Sequence, residues 1–144
     1  MTFDKTRSAG FLANHMARLF AKGLQQTVKP LGLAPAQFMT LLALWEKDGL
    51  TQRELVERLD VEQATMANTL TRMERDGLIE RRAHPGDGRS QSVHLTRKAL
   101  ALREPATAAA RSVNAVALGA LSETERQAFL DLTGRVIEAL RTRF

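Results

Sequence analysis

The chain contains no cysteine, so disulfides, thiolate metal sites and thiol redox sensing are excluded by inventory. Its three histidines, His15, His84 and His94, lie far apart without HxH or HxxxH spacing, and no short motif assembles a metal site. Glycine and proline are sparse, 9 and 4 of 144 residues, which with 44% hydrophobic residues argues against a disordered chain, and no low-complexity tract is present. No apolar run approaches the length of a bilayer span, and residues 1–16 lack the apolar core of a signal peptide. No membrane partner and a cytoplasmic location are therefore expected. A nucleophile–base pair and a phosphate-cradling glycine loop are also missing, so neither an enzyme nor a cofactor is expected. What remains is a chain of one-domain length with a net charge of +5, which favours contact with a polyanion without requiring it.

The most informative stretch is residues 62–96, a helix running into a hairpin. Met66, Leu70 and Met73 form one apolar stripe at helical spacing, leaving Ala64, Thr65, Asn68, Thr71, Arg72 and Arg75 opposite it. That outer face is built from hydrogen-bonding side chains of the kind that read base edges in a major groove. An ordinary amphipathic helix is the alternative at this point. Upstream, Thr51-Gln52-Arg53-Glu54 is a capping box that opens a short helix carrying Leu55, Val56 and Leu59, and Asp60-Val61-Glu62 leaves just enough chain to turn. The pair has helix-turn-helix spacing, which a generic antiparallel pair shares.

Gly77 sits where a left-handed cap ends the second of these helices. Residues 78–83 and 92–95 then read as extended segments around a Pro- and Gly-bearing tip. Residues 81–98 are basic, with Arg81, Arg82, Arg89, Arg97 and Lys98 against Asp87 alone. Beside a helix-turn-helix such a tip is placed to grip phosphates or enter a minor groove; by itself it is a solvated loop. Asp87, two residues before Arg89, is suited to orient that guanidinium.

Around this unit lie long amphipathic helices. Residues 6–28 carry an apolar stripe ended by Pro30 and Gly32, and a second helix from Pro35 is apolar nearly all round, hence central. Thr96 caps a helix running towards Leu118 with a kink at Pro105, and Ser122 with Glu125 opens a last helix. The first and last helices carry more apolar surface than a small winged domain covers. Pairing with a second copy would bury Phe11, Leu12, Leu118, Leu121, Phe129, Leu132, Val136 and Leu140; packing within one chain is the alternative. The fold class expected is mainly α: about six helices plus a two-stranded β-hairpin wing, with terminal helices forming a dimerisation region.

This order of elements resembles the MarR family of bacterial transcriptional regulators. Asp87-Gly88-Arg89 followed by Val93-His94-Leu95-Thr96 is similar to the family's wing signature, and Leu70, Met73, Gly77-Leu78-Ile79 and Arg81 resemble its link from recognition helix to wing. The resemblance covers nearly the whole chain. It implies a single domain over 1–144, with a winged helix-turn-helix at 34–98 and dimerisation parts at 1–30 and 99–144. It implies a homodimer on double-stranded DNA with a palindromic operator, often released by a small aromatic or anionic ligand. Carried over by position, Gln63, Thr65, Asn68, Thr69 and Arg72 would face the major groove and Arg89 the minor groove. Thr51 and Arg82 would stand near phosphates, although capping alone explains Thr51. His15, Met16 and Leu19 with Phe38, Leu42 and Trp45 would line an apolar cleft with one titratable group. Two departures matter: Ala34-Pro35 replaces the family's usual hydroxyl cap, and the lack of cysteine removes its peroxide-sensing branch. A sequence-independent architectural DNA binder using the same wing is the second functional reading, distinguished by operator selectivity.

Overall fold

The computed structural model describes residues 2–84 and 86–144, and the side chains of all of these except His84, Asp87, Gly88 and Arg89. Among the described residues there are seven α-helices and three strands. Helix α1 spans Ala9–Val28 and starts where the Ser8 hydroxyl accepts the Phe11 amide N–H at 3.3 Å. The preceding Lys5–Arg7 forms a separate 3-10 turn, so the helix begins at Ala9 rather than near residue 6. Helix α2 spans Pro35–Glu46. With no hydroxyl at Ala34, its start relies on Pro35 in the first turn and on Gln37, whose Oε1 accepts the Ala34 N–H at 3.0 Å.

Strand β1, Leu50–Thr51, leads into α3, Gln52–Leu59, and α4, Gln63–Arg75. Strands β2, Ile79–His84, and β3, Asp87–Leu95, form the wing. The expected two-stranded hairpin is extended to a sheet of order β1-β3-β2, with Leu50 opposite Val93 and Thr51 opposite Ser92. The cause lies just before β1: Asp48 Oδ1 accepts the Leu95 N–H at 2.9 Å, and the Gly49 N–H donates to Val93 O at 3.0 Å. Side chain and backbone thus pin the loop after α2 to the wing.

The helix expected from Thr96 to Leu118 is broken in two, α5 at Arg97–Ala101 and α6 at Arg103–Ala117. Pro105 has no N–H to donate and its ring crowds the carbonyl four residues back, at Ala101, so the break falls there rather than as a kink further on. Helix α7, Glu123–Arg143, closes the chain behind the Ser122–Glu125 capping box. Helix α1 lies along α6 closely enough that a Cβ on Gly23 would stand 3.3 Å from Val113 Cγ1. None of the described helices is long and apolar enough to cross a membrane.

Helix α2 runs through the middle of the core, burying Phe38, Leu41, Ala43, Leu44 and Trp45. Onto it pack Leu55 from α3, Met66, Leu70 and Met73 from α4, Leu78, Ile79, Val93 and Leu95 from the wing, and Ala99 and Ala106. The end of α4 is shaped by Gly77 at φ +74°. The Leu78 N–H donates to Met73 O at 2.9 Å and the Gly77 N–H to Glu74 O at 3.1 Å, the paired bonds of a Schellman motif. A Cβ on Gly77 would meet nothing within 4 Å, so the cost of a side chain there is conformational only. Gly77→Ala is expected to reduce unfolding free energy by about 1–2 kcal/mol. A urea titration in which its midpoint matched the wild type would contradict this account of the helix end.

Candidate nucleic-acid interface

The two helices of the helix-turn-helix are fixed at their starts and at their joint. The Thr51 hydroxyl accepts the Glu54 N–H at 3.2 Å, while Glu54 Oε1 accepts the Thr51 N–H at 3.1 Å and its hydroxyl proton at 3.0 Å. These bonds, the backbone one foremost, hold the Glu54 carboxyl below its ordinary value. Thr51 is thus engaged in capping. At the joint Asp60 takes the left-handed conformation, φ +53°, ending α3. The far end of α4 is braced from α5: Thr96 Oγ1 donates to Gly77 O at 2.6 Å and Lys98 Nζ to Asp76 O at 2.8 Å. Buried Gln37 of α2 donates from Nε2 to Asp76 Oδ2 at 2.9 Å. That bond, aided by Arg75, lowers the Asp76 pKa.

With Met66, Leu70 and Met73 turned into the core, α4 presents Gln63, Thr65, Asn68, Thr71, Arg72 and Arg75 outward, all exposed. Arg75 pairs with Asp76 at 3.1 Å, Thr71 Oγ1 donates to Ala67 O, and Gln63 Oε1 accepts from Gln52 Nε2 at 3.4 Å. The remaining three, Thr65, Asn68 and Arg72, stand on one side of the helix. Thr69 is not on this face. It is buried, and its hydroxyl donates to Thr65 O at 2.8 Å. Three residues after Met66 and four before Met73, it falls on the core side of the helix by period alone, so its assignment to the groove is corrected.

On the wing, β2 and β3 are paired from Ile79–Leu95 outward, with an irregularity at Ala83/His84. Arg82 is exposed, with Nη2 held against Glu80 Oε1 at 2.5 Å, and the more covered Arg81 lies 3.8 Å from Glu74 of α4. Arg82 is therefore available at the surface but partly neutralised. Ser92 and His94 share a 2.7 Å hydrogen bond on β3. The side chains of Arg89 and Asp87, the expected minor-groove residue and its orienting carboxylate, lie outside the described residues.

Two clefts border α1. One, about 560 Å³, lies between α1, α2 and α6 and is lined among others by Met16, Phe20, Phe38, Met39, Leu42 and Asn114. The other, about 710 Å³, lies between α1, α6 and the start of α7, with Met16, Leu19, Leu118, Leu121 and Phe129 in its wall. Of the residues expected to line one apolar pocket, Met16, Phe38 and Leu42 share the first cleft, and Leu19 belongs to the second. His15 and Trp45 line neither, which corrects their assignment. His15 is exposed, edge-on to Phe11 with ring centroids 5.9 Å apart. Trp45 points into the core and donates from Nε1 to Ala99 O at 3.1 Å. The titratable group expected in the pocket is replaced by the neutral amide of Asn114, which no periodicity in the sequence singled out.

The candidate dimer residues divide similarly. Leu12, Leu132, Val136 and Leu140 are exposed; Phe11, Leu118, Leu121 and Phe129 are half-buried. Exposed Leu130 and Ile137 of α7 join them.

Comparison with known proteins places this geometry. A model of the MarR family matches residues 33–91. The HTH-type transcriptional repressor NicR of Pseudomonas putida is 30% identical over 95% of this chain and 87% of its own length. Among solved structures, the PcaV transcriptional regulator of Streptomyces coelicolor in complex with its natural ligand superposes with a TM-score of 0.84 at 26% identity, covering 97% of this chain and 99% of that one. A putative MarR family transcriptional regulator from Listeria monocytogenes complexed with 26mer DNA gives 0.85 at 25% identity, over 93% and 89%.

Two outcomes follow from the caps and the α4 face. Glu54 has a depressed folded pKa, so it contributes stability above its ordinary value of 4.5 and loses it as pH falls through the folded value. Glu54→Gln should lower stability at neutral pH and reduce the loss between neutral pH and the acid side of 4.5, read as melting temperature against pH. Parallel curves for variant and wild type would remove the carboxylate's role. Asn68→Ala should cost about 1–3 kcal/mol of DNA affinity at one base pair per half-site and relax preference there. An equal loss on every sequence would make Asn68 a residue that only positions the protein.

Proposed function

Because this chain belongs to the MarR family of transcriptional regulators, we propose that it acts as a homodimeric repressor of a palindromic operator, released when a small apolar ligand enters the α1–α2–α6 cleft. It works as a DNA-binding regulator rather than an enzyme, in the cytoplasm. The observation that carries the DNA reading is the α4 face: Thr65, Asn68 and Arg72 exposed above a buried stripe of Met66, Leu70 and Met73. Arg matches guanine and Asn matches adenine through paired hydrogen bonds, which gives the face sequence preference and not only charge. This favours a selective regulator over an architectural binder, whose grip would rest on cations alone.

The winged helix-turn-helix at 34–98 is the DNA-binding part; 1–30 and 99–144 supply the dimer. Leu12 on α1 and Leu132, Val136, Ile137 and Leu140 on α7 are about half exposed, a continuous cost in water that a second copy would relieve. The MarR-type relative with 26mer DNA and the PcaV complex with its ligand support the two binding roles. No charged side chain is among the residues of the α1–α2–α6 cleft, and Asn114 is its polar group. That lining suits an uncharged aromatic molecule better than an anion, whose desolvation no cation there would offset.

Selection from random duplexes at physiological salt should return an inverted repeat with half-sites about one helical turn apart. Affinity no better than for random DNA would exclude a selective regulator. On the selected site, Arg89→Ala should weaken binding and lower the salt dependence by roughly one counterion per half-site, about two for the dimer. An unchanged salt slope would place Arg89 outside the interface.

A further inference from the structure

Helix α7 has an unusual attachment to its own chain. None of its residues is buried, and two arginines fasten its ends. Near its start, Arg126 Nε donates to Leu118 O and to Leu121 O, each at 3.1 Å, closing the end of α6. Near its finish, Arg141 reaches the helix-turn-helix: Nη2 donates to Glu57 O at 3.1 Å and Nε pairs with Asp60 Oδ2 at 2.9 Å. At about 1.5 Å rise per residue the two arginines are about 22 Å apart. The helix is a strut with one end in the dimerisation part and the other on the turn before α4.

The acceptors at the Arg141 end are of a particular kind. Glu57 O is among the last carbonyls of α3, which have no partner within the helix, and Asp60 is the left-handed residue that redirects the chain towards α4. One planar guanidinium satisfies both, closing the α3 end from a helix 84 residues away in sequence. The other described ion pairs join near neighbours in sequence. With side chains 46% and 57% exposed, the Arg141–Asp60 pair adds little to stability; what it supplies is a fixed distance between α7 and the turn.

We infer that Arg141 is a positioning residue: it holds the α3–α4 turn at a set place relative to α7, and so sets the separation of the two recognition helices in a pair of chains. The inference rests on the proposed homodimer on two half-sites, in which the apolar face of α7 is covered by the second copy.

The test uses the full chain and duplexes carrying the selected inverted repeat at its natural spacing and with one base pair added or removed. One base pair turns the half-sites by about 35° relative to each other, which a rigid dimer resists. The wild type should prefer its natural spacing by about tenfold. Arg141→Ala should bind the three spacings within about threefold of one another, with a melting temperature close to the wild type. Asp60→Asn, which tolerates the left-handed backbone while removing the charge, should do the same, and the double variant should go no further. A wild-type preference retained in full by Arg141→Ala, or a uniform loss at every spacing, overturns the positioning role and leaves the two-half-site reading standing. A wild type indifferent to spacing overturns that reading, and this inference with it.

Discussion

What α4 presents to solvent depends on how its apolar stripe is seated. Leu70 and Met73 are fully buried against an α2 core that includes Leu41 and Leu44, and each large side chain removed from water contributes about 1.5–3 kcal/mol. No surface hydrogen bond on α4 competes with burial of that size. The rotation of the helix about its axis is therefore dictated from beneath, and the residues opposite the stripe face outward as a consequence. The Schellman turn at Gly77 carries the same constraint into the wing, since Leu78, next to the cap, is itself buried. Helix and wing share one rigid base.

Helix α2 is where sensing and reading would meet. Phe38, Met39 and Leu42 line the α1–α2–α6 cleft, while Gln37 on the same helix is bonded to Asp76 at the end of α4. A molecule that displaced α2 would act on a buried amide already committed to the recognition helix. Leaving that bond unmade costs about 1–3 kcal/mol, the scale of ordinary coupling between two binding sites. The proposed ligand response thus has a short route through one helix and one hydrogen bond. Helix α7 offers a second, independent connection at the opposite end of the reading unit, through the α3–α4 turn.

Much of this was legible because it follows from period and from caps. The stripe of Met66, Leu70 and Met73, the Thr51–Glu54 and Ser122–Glu125 boxes and the Gly77 stop each have a local physical cause, and each stands in the structure. Thr69 shows helical phase overriding side-chain chemistry: threonine suits a groove, but its position belongs to the core side. Strand β1 has two residues and no periodicity to betray it; its cause is a long-range bond from Asp48 to Leu95. The cleft was half legible. Apolar residues of α1 and α2 pointed to it, yet only the packing of α6 shows that Asn114, and not His15, is its polar group. Arg141 was invisible for the same reason, since its partners lie in another part of the chain.

In the proposed dimer two copies place α4 in successive major grooves on one face of the duplex. Guanine-N7 methylation protection on the selected operator measures this directly, because the N7 atom lies in the major groove. Two protected blocks centred about 10 base pairs apart are expected, each weakened by substitution at Arg72. A single block, or protection spread evenly along the duplex and insensitive to Arg72, would contradict it.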